Sequence, residues 1–134
     1  MAVDRSHIGE STGASRCTVE RGPVANFAVA VKDENPVYAD LDAARAGGFD
    51  GIPAPPTFTF ALQHWGRFAE QQPPDPTGGQ SPMLAVMGGL MSKGGLILHG
   101  EQEFVYHRPV VSGDVLSGEG SSSTSTRRRA RAGP

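Results

Sequence analysis

Three of the four residues in Pro53-Ala54-Pro55-Pro56 are proline, and no other segment restricts the fold of this 134-residue chain as tightly. Each pyrrolidine ring locks φ at about −65° and removes a backbone donor. The residue before each proline is also driven out of helical geometry. Ile52–Pro56 is therefore expected to be extended and stiff. Thr57 then opens an amphipathic pattern, with Phe58, Ala61, Leu62, Trp65, Phe68 and Ala69 on one broad face. This predicts a helix over 57–70, the longest in the chain.

The remaining punctuation divides the chain further. Val24, Phe27, Ala28 and Val31 follow helical spacing from Arg21, with Pro23 tolerated in a first turn. Lys32-Asp33-Glu34-Asn35-Pro36 ends that helix. Asp40 is placed to cap a short helix, Leu41 to Ala46, and Gly47-Gly48 to stop it. Ser15–Glu20 alternates as a short strand, and 71–82 is a loop by composition. Leu84–Met91, with its Gly88-Gly89 pair, is read as irregular backbone leading into a strand. Leu96–Tyr106 is expected to be the clearest strand. His107-Arg108-Pro109 then bends the chain, Ser112-Gly113-Asp114 makes a turn, and Val115-Leu116 starts the next strand.

Residues 1–14 read as a flexible lead-in without a secretory signal. Residues 121–134 contain no apolar side chain larger than Ala and are expected to be disordered. The apolar share is only 37%, beside 18 Gly and 11 Pro, which implies one domain of thin core that associates with another chain. No stretch is apolar for long enough to span a membrane. The single cysteine, Cys17, is read as a small residue in a half-buried strand, and the lack of a disulfide partner fits a cytoplasmic setting. The net charge of −2 conceals four arginines, Arg127, Arg128, Arg129 and Arg131, in the last eight residues. The rest carries 8 basic against 14 acidic groups, which argues against nucleic acid as a ligand. Codons for Val-Val-Asp-Val-Tyr-Glu-Lys, read one nucleotide late, encode Ser122-Ser123-Thr124-Ser125-Thr126-Arg127-Arg128. The basic tail is therefore expected to be a shifted reading frame rather than a binding arm.

Three ordered segments carry a family resemblance: Asp33-Glu34-Asn35-Pro36-Val37-Tyr38, Gly51-Ile52-Pro53-Ala54-Pro55-Pro56-Thr57-Phe58, and Leu98-His99-Gly100-Glu101-Gln102-Glu103-Phe104 with Tyr106-His107-Arg108-Pro109 and Gly113-Asp114. In order and spacing the chain resembles the MaoC-like N-terminal dehydratase family, the FAS1-like (3R)-hydroxyacyl-thioester dehydratases, over roughly 15–119. The resemblance implies an α+β hotdog domain, an antiparallel sheet wrapped around a long central helix, here expected to be incomplete at its C-terminal side. It also implies hydration or dehydration of an enoyl-CoA or 3-hydroxyacyl-ACP thioester, no cofactor or metal, and a homodimer or a heterodimer with a catalytic MaoC-like subunit.

Syn hydration needs a carboxylate and an imidazole sharing a water, and backbone donors aimed at the thioester oxygen. The family's dyad is Asp-x-Asn-Pro-x-His. In this chain Tyr38 occupies the His position, and Pro56, which has no N–H, lies where the family supplies an oxyanion donor. The expected catalytic set is thus Asp33, Tyr38 and His99, the last because Gly100 lets a ligand approach closely. The expected substrate set is Asn35, Pro36, Pro55, Pro56, Thr57, Phe58 and Gly100, with Phe58, Phe60 and Leu62 as apolar walls. His107 is read as a polar strand-end residue, His64 as a partly exposed helix residue, and His7 as part of the lead-in. The expected role is a non-catalytic or weakly catalytic partner that holds the acyl chain. The alternatives are an acyl-CoA or acyl-carrier binding module without turnover, and a hotdog thioesterase.

Overall fold

The computed structural model describes residue 6 and residues 8–62, 68–78, 82–96 and 98–123. His7, His64, Trp65 and the tail 124–134 lie outside the described residues. The elements run β1 (Ser11–Thr18), α1 (Arg21–Ala30), α2 (Leu41–Ala46), α3 (Phe58–Ala61), α4 (Pro82–Ser92) and β2 (Val115–Ser121), with short 3-10 turns at Pro36–Tyr38 and Ala69–Gln71. The chain divides into two compact units, one of 16–74 with 98–117, the other of 1–15 with 75–97 and 118–134. β1 and β2 form a two-stranded sheet. Backbone bonds link Gly9 and Glu10 to Ser122 at one end and Val19 to Gly113 and Asp114 at the other, so the pairing is antiparallel. The β1 strand therefore begins at Ser11, earlier than the alternation of Ser15–Glu20 suggested, and Ser122 is still paired.

In the larger unit the core gathers Cys17, Val19, Val24, Ala44, Ile52, Phe58 and Leu62. α1 turns Val24 and Ala28 inward, as its spacing predicts. Phe27 meets Phe58 edge-on, centroids 5.6 Å apart at 67°, an arrangement aromatic rings favour. Cys17 is buried in β1, consistent with its reading as a packing residue. The strand end beside it is completed by a side chain. Gln72 Oε1 accepts from the Thr18 N–H at 3.0 Å and the Cys17 thiol at 3.2 Å, while Nε2 donates to Glu20 Oε1 and to the Thr18 carbonyl.

α2 forms as expected. Asp40 Oδ1 accepts from the Ala43 N–H at 2.7 Å. At the other end Gly48, at φ +87°, lets Gly48 N bond Arg45 O and Phe49 N bond Ala44 O, satisfying two otherwise orphaned carbonyls. The proline run is extended and paired: Ala54 N donates to Val110 O, Ser112 N to Ile52 O, and Pro53 bridges Val111.

Three expectations fail. The helix proposed for 57–70 does not run through: α3 covers Phe58–Ala61, residues 63–67 lie outside the description, and Phe68 is extended. Phe68 N donates to Glu20 Oε1 at 3.0 Å, a tertiary bond that replaces a helical one. Second, 98–106 has the alternation of a strand but forms no ladder among the described residues. Third, Leu84–Met91 is not irregular but lies within α4. Pro82 supplies a favoured first helical residue. Gly88-Gly89 is absorbed at about 1 kcal/mol per glycine relative to Ala. Gly94-Gly95, not Gly88-Gly89, ends the helix: Gly94 N bonds Met91 O and Gly95 N bonds Leu90 O. Among the described residues no helix is long and apolar enough to cross a membrane.

Candidate functional site

The site is built from the loop after α1, where the backbone is strained. Lys32 adopts φ +60°, a conformation unfavourable for a residue with a Cβ. This lets Lys32 N donate to Val29 O and Asp33 N to Ala28 O, closing the helix and setting the Asp33 side chain just past its end. Asp33 Oδ1 accepts from the Asn35 N–H at 3.2 Å, and Asn35 Oδ1 in turn accepts from the Val37 N–H at 3.2 Å. Asn35 thereby caps the single 3-10 turn that Pro36 opens. The two side-chain oxygens thus hold the turn that carries Tyr38 back toward Asp33. The pKa of Tyr38 is raised, first by burial and then by the charge of Asp33 and a hydrogen bond to its carboxylate.

Tyr38 opens onto a cavity of about 420 Å³ in the larger unit. It is lined by Pro53–Pro56, whose start is paired with the Val110 segment, and by Val110, Phe49 and Thr59. Tyr106, His107, Arg108 and Pro109 complete the lining. This stretch is held at two points. The Tyr106 hydroxyl donates to the Pro56 carbonyl at 2.7 Å. Arg108 Nη1 donates to Asp114 Oδ2 at 2.8 Å, and the same oxygen accepts from the Val111 N–H at 3.0 Å. The Arg108 hydrogen bond is the largest cause holding the Asp114 carboxyl below its ordinary range. The Val111 N–H adds to it, and burial opposes both.

Of the residues expected from sequence, Tyr38, Pro55 and Pro56 line this cavity. Asp33 does not line it but is near enough to raise the Tyr38 pKa, and Asn35 and Pro36 form the turn that carries Tyr38. Phe58 and Leu62 do not line it. Phe58 is fully buried and Leu62 nearly so, because the apolar face of α3 covers the core. Phe60 lies instead against His99, centroids 4.7 Å apart, and His99 Nε2 sits 3.3 Å from Gln102 Oε1. His99, Gly100 and Thr57 are exposed and are not among the lining residues. His107 lines the cavity instead. Sequence reasoning missed Phe49, Thr59, Tyr106 and Arg108 as walls. The Tyr106–Pro109 motif was a signal for two of them, while Phe49 and Thr59 come in through chain crossing alone.

A description of the FAS1-like dehydratase domain region matches residues 6–133. The chain belongs to this family. Within it, a UPF0336 protein of Streptomyces avermitilis is 39% identical over 118 residues, 87% of this chain and 69% of that protein. A UPF0336 protein of Saccharopolyspora erythraea is 34% identical over 117 residues, 87% of this chain and 66% of that one. Among solved structures, the C-terminally truncated HadBC (3R-hydroxyacyl-ACP dehydratase) complex of Mycobacterium tuberculosis is similar in fold, with TM-score 0.55 and 24% identity. That likeness covers 85% of this chain and 70% of the other. The ChsH1–ChsH2 complex of the same organism gives TM-score 0.50 and 26% identity over 81% of this chain and 62% of its own. These neighbours are hotdog-type, so this dehydratase-region domain takes that mixed helix-and-antiparallel-sheet class.

Proposed function

We propose that this chain is an acyl-thioester domain of hydratase/dehydratase type that holds the acyl chain of an enoyl-CoA or 3-hydroxyacyl-ACP and turns it over weakly or not at all without a catalytic partner subunit. The observation that carries this reading is Tyr38, with Asp33 near it, in the lining of a largely apolar cavity. A phenol whose pKa is raised stays protonated at neutral pH and cannot accept a proton from water. It can donate a hydrogen bond, and the nearby Asp33 carboxylate favours that protonated form. Pro56 offers no N–H to the thioester oxygen, and its carbonyl is taken by Tyr106. The walls of prolines and aromatic rings suit an alkyl chain, at about 0.8 kcal/mol per buried CH₂. Pairing with a second subunit is supported by the two fold neighbours, both of which are complexes.

Product analysis with crotonyl-CoA tests the reading. The isolated chain is expected to leave the thioester nearly unchanged, and addition of a subunit with the full Asp-x-Asn-Pro-x-His motif to yield the hydrated thioester. Release of free CoA would favour a thioesterase. Rapid hydration by the isolated chain, abolished by Asp33→Asn, would overturn the non-catalytic role.

A further inference from the structure

The two sides of the cavity are held with unequal strength, and this difference points to a specificity-determining residue. One side is the Ile52–Ala54 segment locked to Val110–Ser112 by two backbone hydrogen bonds and a bridge. The other side approaches through 98–106, which has no ladder among the described residues. Phe104 and Tyr106, two residues apart, project to the same face and stack with centroids 5.6 Å apart and planes within 11°. Val105 between them is 75% exposed. At its cavity end this segment is tied to the proline run by the 2.7 Å bond from Tyr106 to the Pro56 carbonyl, while His99 at its start lies against Phe60.

We propose that Tyr106 is the latch and chain-length gate of this cavity: its ring, backed by Phe104, sets how long an acyl chain fits, and its hydroxyl, bound to Pro56, sets how readily the bound chain leaves. The proposal rests on the acyl-thioester reading above and assigns its selectivity to one side chain. The ring and the hydroxyl do separable work, so two substitutions separate them. Tyr106→Phe keeps the wall and removes the tether. Tyr106→Ala removes both. Because the ring is 53% exposed, neither change empties a core site.

The experiment titrates butanoyl-, octanoyl- and dodecanoyl-CoA against the full chain and both variants, with association and dissociation followed by stopped flow. In the wild type, affinity rises roughly fourfold per added CH₂ until the cavity is full, then levels off. Tyr106→Ala is expected to move that plateau to longer chains. Tyr106→Phe is expected to leave the plateau in place and to speed dissociation about fivefold, the factor one net hydrogen bond supplies. An unchanged plateau in Tyr106→Ala overturns the gate, and unchanged dissociation in Tyr106→Phe overturns the latch. Wild-type affinity that ignores chain length overturns the acyl-cavity reading itself, and the gate with it.

Discussion

The phenol of Tyr38 lies close enough to the carboxylate of Asp33, across the turn that Asn35 and Pro36 build, for that charge to raise its pKa. The phenol keeps its proton at neutral pH, because burial first and the charge of Asp33 second both favour the neutral form.

The titration of Tyr38 follows from that geometry. Its midpoint, read by tyrosinate absorbance in a Tyr106→Phe background, is expected above the ordinary value of 10.0. Asp33→Asn removes the charge and weakens the acceptor, so the midpoint is expected to fall while burial keeps it from falling fully. Linkage gives the sign for stability. The unfolded phenol loses its proton first, so the contribution of this pair declines as pH rises past about 10. A midpoint indifferent to Asp33→Asn would mean that the two groups do not interact in solution.

Lys32 at φ +60° predicts a stabilising substitution. Lys32→Gly relieves the Cβ clash of the left-handed conformation while the two backbone bonds that close α1 remain. A gain of about 0.5–1 kcal/mol is expected in urea unfolding. A loss of stability of that size would show that the lysine side chain contributes more than its backbone costs.

Gln72 acts as a one-residue strand partner for Thr18, accepting from its N–H at 3.0 Å and donating to its carbonyl at 3.4 Å. Gln72→Ala leaves those part-buried groups unsatisfied and is expected to cost about 1–3 kcal/mol. Gln72→Glu should be no milder, since it sets a carboxylate beside the Glu20 oxygen that now accepts from Nε2 at 2.6 Å. Full stability in Gln72→Glu would remove the amide from any structural role.

Asp114 predicts an acid dependence. Its folded pKa is lowered, so its contribution is fully present above the unfolded value of about 3.9 and is lost as pH falls through that value toward the folded one. The difference in unfolding midpoint between wild type and Asp114→Asn is expected to be constant above about pH 5 and to shrink below about pH 4. The difference should be small, and smaller in high salt, because the Arg108 partner is 63% exposed. A difference that persists unchanged at about pH 3 would assign the effect to shape rather than charge.

The features the sequence determined by itself are those whose hydrogen bonds close within a few residues. The Asp40 cap, the Gly48 stop, the helical face of Val24 and Ala28, and the Ser112–Asp114 turn were legible because donor, acceptor and required φ all lie in one short stretch. The stop at 32–36 was legible for the same reason, but the Asn35-capped turn that carries Tyr38 was not read from the sequence. α4 was locally encoded as well, but the interior pair Gly88-Gly89 was weighed as a breaker when the stop lay at Gly94-Gly95. The rest needed the tertiary structure. Periodicity marks which face of a segment is apolar, not what covers it, so Phe58 was expected as a groove wall, whereas it is fully buried against Phe27 in the core. Alternation over 98–106 marked an extended chain, but a strand also needs a partner ladder, and ladders are contacts between distant residues. The cavity was decided in the same way. Tyr38, Pro56 and Tyr106 come from three separate segments, and only the folded chain brings their side chains to one surface.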